Sequence, residues 1–153
     1  MIETGQPAPD FTLPRDGEGT ITLSALRPSR VVLFFYPKDD TPGCTTESIS
    51  FSAHLDAFKS AGAEVIGISK DPVKKHDKFR DKHGLTVPLV SDTDGTTCED
   101  YGVWKEKKMY GKTFWGIERT TVLIGPDGNI ERIWPKVKVP GHVEEVLEAV
   151  RNA

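Results

Sequence analysis

The chain has 153 residues, with 20 basic against 23 acidic side chains, a formal net charge of −3, and only two cysteines. That length suits a single domain spanning residues 1–153. The dispersed lysines and arginines argue against a nucleic-acid surface, and no apolar run approaches the roughly 20 residues of a membrane span. Two cysteines without CxxC spacing exclude a disulfide-stapled scaffold and a dithiol of thioredoxin type. The residues after Met1 lack the basic and apolar blocks of a secretion signal, which leaves a cytoplasmic protein as the expectation.

In chain order, residues 1–15 read as an extended lead-in, and Asp16-Gly-Glu-Gly19 is a turn before an alternating strand at Thr20–Leu23, so a small N-terminal β-hairpin is expected. Val31–Tyr36 is a run of six β-branched, leucine and aromatic residues, the pattern of a strand covered on both faces. Beyond Pro37 and a polar loop, Phe51, Leu55 and Phe58 recur at helical spacing, and Gly62 closes that helix. Glu64–Ser69 is a second buried strand. Asp71 and Pro72 open the next helix as N-cap and first residue, and Gly84 ends it.

Val87–Val90 is a short segment leading into the acidic turn around Asp92 and Asp94, which lacks the distal glutamate of a calcium loop. Thr96–Tyr101 suits a short helix carrying Cys98, and Lys105–Lys108 reads as a solvated charged run. Thr120–Ile124, the Pro126–Asn129 turn and Ile130–Trp134 form a legible hairpin with Arg119 just before it. Val143, Val146, Leu147 and Val150 are the apolar stripe of a final helix. The pattern is α/β: a central mixed sheet flanked by helices, with a hairpin before it.

Cys44 follows Thr41, Pro42 and Gly43 at the start of the helix that leaves the first buried strand, where open α/β sheets usually place their chemistry. Unpaired amides and the macrodipole at a helix N-terminus favour a thiolate. Thr41 suits the N-cap and Pro42 the first helical position, while Gly43 leaves space beside the sulfur. Capping alone explains Thr41 and Pro42, and an inert buried thiol is the alternative for Cys44.

The spacing Pro37-x-x-x-Thr41-x-x-Cys44 is similar to the active-site motif of the peroxiredoxins, and Tyr36–Glu47 as a whole resembles the bacterioferritin comigratory, or Q-type, subfamily. Gly5–Phe11, Ser91–Gly95, Tyr101–Trp104 and Gly116–Thr120 extend the likeness over nearly the whole chain. The resemblance implies a thioredoxin-like fold and a thiol-dependent peroxidase that reduces hydrogen peroxide and organic hydroperoxides through a sulfenic acid on Cys44. Carried over by residue, Thr41 hydrogen-bonds sulfur and peroxide, Arg119 polarises both, Glu47 positions the arginine and Pro37 shields the site. Thioredoxin, glutaredoxin or a small thiol is the implied reductant, and a monomer or weak dimer the implied state. No cofactor is implied, and no close cluster of ligands suggests a metal.

The chain departs from the subfamily at the resolving cysteine. Many members carry it five residues after the first, where this sequence has Ile49; others carry it on the following helix, and Asp71–Gly84 has none. Cys98 alone remains, either as a resolving residue after local unfolding or as a buried bystander to a one-cysteine mechanism, the reading favoured here. A cysteine phosphatase would need an arginine where Ser50 stands. A Cys–His hydrolase would need His54, His76, His83 or His142 beside Cys44, and each lies in a polar helical stretch that suits a surface or packing role.

Overall fold

The structure is a computed structural model and describes residues 2–153. Strands β1 (Thr12–Pro14) and β2 (Thr20–Thr22) pair antiparallel as the expected N-terminal hairpin, followed by a 3-10 turn at Leu23–Leu26. The chain then runs through β3 (Arg30–Phe35), α1 (Pro42–Ala53), α2 (Leu55–Ser60), β4 (Ala63–Ser69) and α3 (Val73–His83). It continues through β5 (Leu89–Ser91), the one-turn α4 (Thr97–Asp100), β6 (Trp104–Met109), β7 (Lys112–Ile117), β8 (Thr120–Ile124), β9 (Ile130–Trp134) and α5 (His142–Arg151).

The central sheet has the order β5-β4-β3-β8-β9. β3, β4 and β5 are parallel, whereas β8 and β9 are antiparallel, so the sheet is mixed, as expected. β3 lies in the middle because its side chains tolerate water on neither face. Val32 and Phe34 enter a core with α1, α2, α3 and α5; Val31, Leu33 and Phe35 enter a second core under the N-terminal hairpin and α4. Phe34 stacks on Phe51 of α1 at 4.4 Å, and Phe51 meets Phe58 of α2 at 5.8 Å, so the helix that starts at the cysteine is seated directly on the central strand. Among the described residues no helix is long and apolar enough to cross a membrane.

Four local expectations change. The first long helix breaks at His54 (φ −99°, ψ 4°), where the backbone N–H and Nδ1 both turn to the Ser50 carbonyl. α3 begins one residue later than expected, with Pro72 at its cap, because the Asp71 carboxylate accepts from Ser69 Oγ and Asp39 N instead. The Val87–Val90 segment feeds a true sheet strand, since Leu89–Ser91 pairs with Gly67–Ser69. The charged run at Lys105–Lys108 is not merely solvated surface: it lies in β6, hairpinned to β7 through Tyr110 and Gly111. Its alternation is charged on both faces, so no apolar period marks it.

Gly67 is required where three strands meet. A Cβ there would lie 2.6 Å from Phe34 Cζ and 2.9 Å from Leu89 Cδ2. Gly67→Ala is expected to cost about 1–3 kcal/mol of stability by overpacking, read by urea unfolding, and to disturb Phe51 through the displaced Phe34 ring.

Candidate active site

Register brings the site together. β3 pairs antiparallel with β8 so that Phe35 faces Thr120, which sets Arg119, the residue before β8, beside the carboxyl end of β3. α1 leaves that same end carrying Cys44, and Glu47 follows one turn later on the same helical face. Arg119 spans the two: Nη1 donates to Glu47 Oε1 at 2.8 Å and Nη2 to Cys44 Sγ at 3.3 Å. Cys44 is 1% exposed and Glu47 is fully buried.

Burial pushes the Glu47 carboxyl up to about 7, against the charge and hydrogen bond of Arg119, which pull it down. Burial also opposes the Arg119 cation, but the charges of Glu47 and Cys44 and their hydrogen bonds outweigh it and raise the guanidinium's pKa further. Among the described residues Glu47 Oε2 has no partner, so the carboxylate meets the arginine through one oxygen. Gly43 proves to make room for Arg119: a Cβ there would lie 3.1 Å from Nη2.

Thr41 is the N-cap by position, with extended backbone at φ −97° and ψ 155°, but its side chain caps nothing. Its hydroxyl donates to the Lys38 carbonyl at 2.9 Å instead. A cap is typically worth about 1 kcal/mol to a helix. Forgoing it leaves the first-turn amides of α1, that of Cys44 among them, without a side-chain acceptor, the arrangement in which helix N-termini bind anions. Pro37 is exposed at the end of β3, and a groove of about 500 Å³ lined by Pro42, Gly43, Thr46, Val139 and Pro140 runs beside the first turn of α1.

The loop from Tyr36 to Thr41 is clamped by two adjacent aspartates that the sequence reading passed over. Asp39 turns inward: its carboxyl accepts from Tyr36 Oη at 2.6 Å and contacts His76 Nδ1 at 2.6 Å, and its N–H donates to Asp71. Asp40, at φ +60°, turns outward to Lys82 and His83 at the end of α3. His76 Nε2 donates to the Val90 carbonyl at 2.9 Å, since a carbonyl can only accept. His76 is therefore a buried packing residue that also ties α3 and β5 to the loop. Its spacing from Phe79, with both on the buried face of α3, was the available signal.

Cys98 lies elsewhere. It packs with Leu33, Phe35 and Ile68 on one face of the sheet, whereas Cys44 packs with Val32, Phe34 and Tyr36 on the other. Its N–H donates to Asp92, and burial, followed by the Asp92 charge, pushes its thiol far up. Both cysteines are free.

Residues 4–133 match the AhpC/TSA family. A bcp peroxiredoxin of Coxiella burnetii is 52% identical over 146 residues, covering 95% of this chain and 97% of that protein. Peroxiredoxin Bcp of Bacillus subtilis is 44% identical over 151 residues, covering 99% and 96%. A solved structure of the bacterioferritin comigratory protein of Xanthomonas campestris, described for its alkyl peroxide reduction activity, superposes with a TM-score of 0.91 at 45% identity over 98% of both chains. The chain belongs to the AhpC/TSA family, with thioredoxin-fold peroxiredoxins of the Bcp type as its relatives, and the activity of that class is thiol-dependent peroxide reduction.

The clamp on the loop sets a pH dependence. Burial opposes the His76 cation, but the hydrogen bond and charge of Asp39 outweigh it and raise its pKa above the ordinary value near 6.5. A raised histidine contributes stability that is complete below the unfolded value and is lost as pH climbs through the folded one. Asp39→Asn is expected to cost about 3 kcal/mol at pH 6, and the gap in melting temperature from wild type should narrow as the pH is raised above 6.5.

Proposed function

We propose that Cys44 is the peroxidatic nucleophile and that Arg119, Thr41 and the Cys44 amide hold the peroxide in line with it, with Glu47 orienting the arginine and Pro37 forming the rim. The observation that carries this reading is the two-sided contact of Arg119 with Cys44 Sγ and Glu47. The thiolate attacks one peroxide oxygen, the O–O bond breaks, the sulfur becomes Cys44–SOH, and the departing oxygen takes a proton and leaves as water or alcohol. Because the Thr41 proton is engaged by Lys38, its oxygen is free to accept the O–H of the peroxide. The groove beside α1 offers room for the alkyl part of an organic hydroperoxide.

Thiol acidity is not the main source of rate in this scheme. A less basic thiolate is more abundant but less nucleophilic, which returns about half of the gain on a logarithmic scale. The remainder must come from preorganised donors at the leaving oxygen.

The sulfenic acid is resolved by an external thiol: Cys44–SOH and RSH give Cys44–S–S–R and water, and a second thiol releases Cys44. The central sheet between Cys44 and Cys98 favours this one-cysteine route, because joining them would require more than the opening of α1. Thioredoxin, glutaredoxin and small thiols all suit the step. The site draws on one chain, which fits a monomer or weak dimer acting as a single domain, and two free cysteines fit a reducing, cytoplasmic setting.

Arg119→Lys keeps a charge but loses the planar fork, and should lower kcat/KM for hydrogen peroxide by about 10²–10³-fold with the fold intact; a rate within twofold of wild type would remove Arg119 from the mechanism. Cys98→Ser should turn over with an external thiol at the wild-type rate. After one equivalent of peroxide the wild-type mass should show one added oxygen on Cys44 with Cys98 still alkylatable, and an intramolecular disulfide would overturn the one-cysteine route.

A further inference from the structure

The β6–β7 hairpin sends one side chain towards the site that the scheme above leaves unused. Lys107 lies in β6 opposite Phe114, and the next pair on that face is Lys105 with Gly116. A Cβ at Gly116 would meet Cδ and Cε of Lys107 at 3.4 and 3.6 Å, so the glycine keeps a track open along which the lysine stem lies. At the end of that track Nζ donates to the Ile117 carbonyl, two residues before Arg119. The neighbouring Lys105 is bridged to Glu118 at 3.1 Å, whereas Lys107 is bridged to no carboxylate among the described residues.

Burial lowers the pKa of Lys107, the charge of Arg119 lowers it further, and Glu118 and the sulfur of Cys44 act the other way. Lys107 thus lies within electrostatic range of Arg119, the cation that touches the sulfur, in a partly desolvated setting. Two cations in one partly desolvated setting are unfavourable unless they serve an anion.

We propose that Lys107 is a positioning residue of the peroxidatic site: through the Ile117 carbonyl it steadies the segment that presents Arg119, and its charge adds to the positive field at Cys44 and at the departing peroxide oxygen. The proposal rests on Cys44 being the attacking sulfur. Lys107 acts through the backbone and through space, touching neither sulfur nor Arg119 by a hydrogen bond in this structure.

The test compares Lys107→Met, Lys107→Gln and Lys107→Arg with wild type. Cys44 is alkylated in the absence of peroxide by anionic iodoacetate and by neutral iodoacetamide, read by intact mass, and kcat/KM for hydrogen peroxide is measured separately. Both reagents meet the same thiolate, so their rate ratio reports the local field and is insensitive to loosened packing. At an effective dielectric of about 40, a unit charge roughly 6–12 Å away should change that ratio about three- to tenfold. Lys107→Gln, which keeps a donor for Ile117 and loses the charge, should lower the iodoacetate-to-iodoacetamide ratio by that amount; Lys107→Met should lower both the ratio and the peroxide rate, the latter about tenfold. Lys107→Arg should restore the ratio to within twofold of wild type. Should Lys107→Met fail to fold, the glutamine and arginine variants carry the comparison. A ratio unchanged in Lys107→Gln, with or without a slower peroxide reaction, overturns the proposal, as does failure of arginine to restore it. Because alkylation needs no peroxide, a chain that shows the field effect yet reduces no peroxide would refute the proposed function and leave the placement of Lys107 standing.

Discussion

A nearly inaccessible sulfur can be held 3.3 Å from a guanidinium only if the segments carrying the two are locked in register, and β3 supplies that lock. It is buried on both faces, parallel to β4 on one side and antiparallel to β8 on the other. Cys44 leaves its end through α1, and Arg119 arrives at its end through β8. A one-residue slip of β8 against β3 would turn every β8 side chain to the wrong core and carry the arginine away from the sulfur. Fold stability and site geometry therefore depend on the same ladder.

The site concentrates charge where solvation is poor. Glu47 is fully buried, one of its oxygens is unpartnered among the described residues, and its carboxyl is pushed up to about 7 despite the arginine beside it. Such a pair is weak evidence of added stability, since desolvation opposes attraction. The pair does fix an orientation: one lobe of the guanidinium lies on Glu47 and the other on the sulfur. Gly43 serves the same end, because the arginine occupies the space that a side chain there would fill.

The start of α1 likewise forgoes a stabilising contact. Thr41 stands at the cap and gives its hydroxyl to Lys38, leaving first-turn amides open. The loop before it is held from outside, by Asp39 on His76 and Tyr36 and by Asp40 on the end of α3. Fixing an uncapped helix start through its neighbours keeps its donors available and limits the entropy that a mobile loop would cost on binding.

Much of this was legible in the sequence. The six-residue run of β3, the glycine stops at Gly62 and Gly84, the Thr120–Trp134 hairpin and the stripe of α5 are local periodicities, and local periodicity determines which elements form. The motif around Cys44 carried the resemblance to the peroxiredoxins. The β6–β7 hairpin was not legible, because its alternating residues are charged or half-exposed and leave no apolar period. The strand at Leu89–Ser91 was too short to be read without its partner in β4. The clamp at Asp39 and the contact of Lys107 with the Ile117 carbonyl were equally hidden, since each depends on residues dozens of positions away or across a hairpin. The sequence by itself determined most of the elements, the place of Cys44 on a helix start and the family. Only the tertiary structure decided that Thr41 leaves its helix uncapped and that Cys44 and Cys98 lie on opposite faces of one sheet. Caps, registers and sheet faces are settled by which distant groups compete for the same hydrogen bond or the same buried space, and chain order does not encode that competition locally.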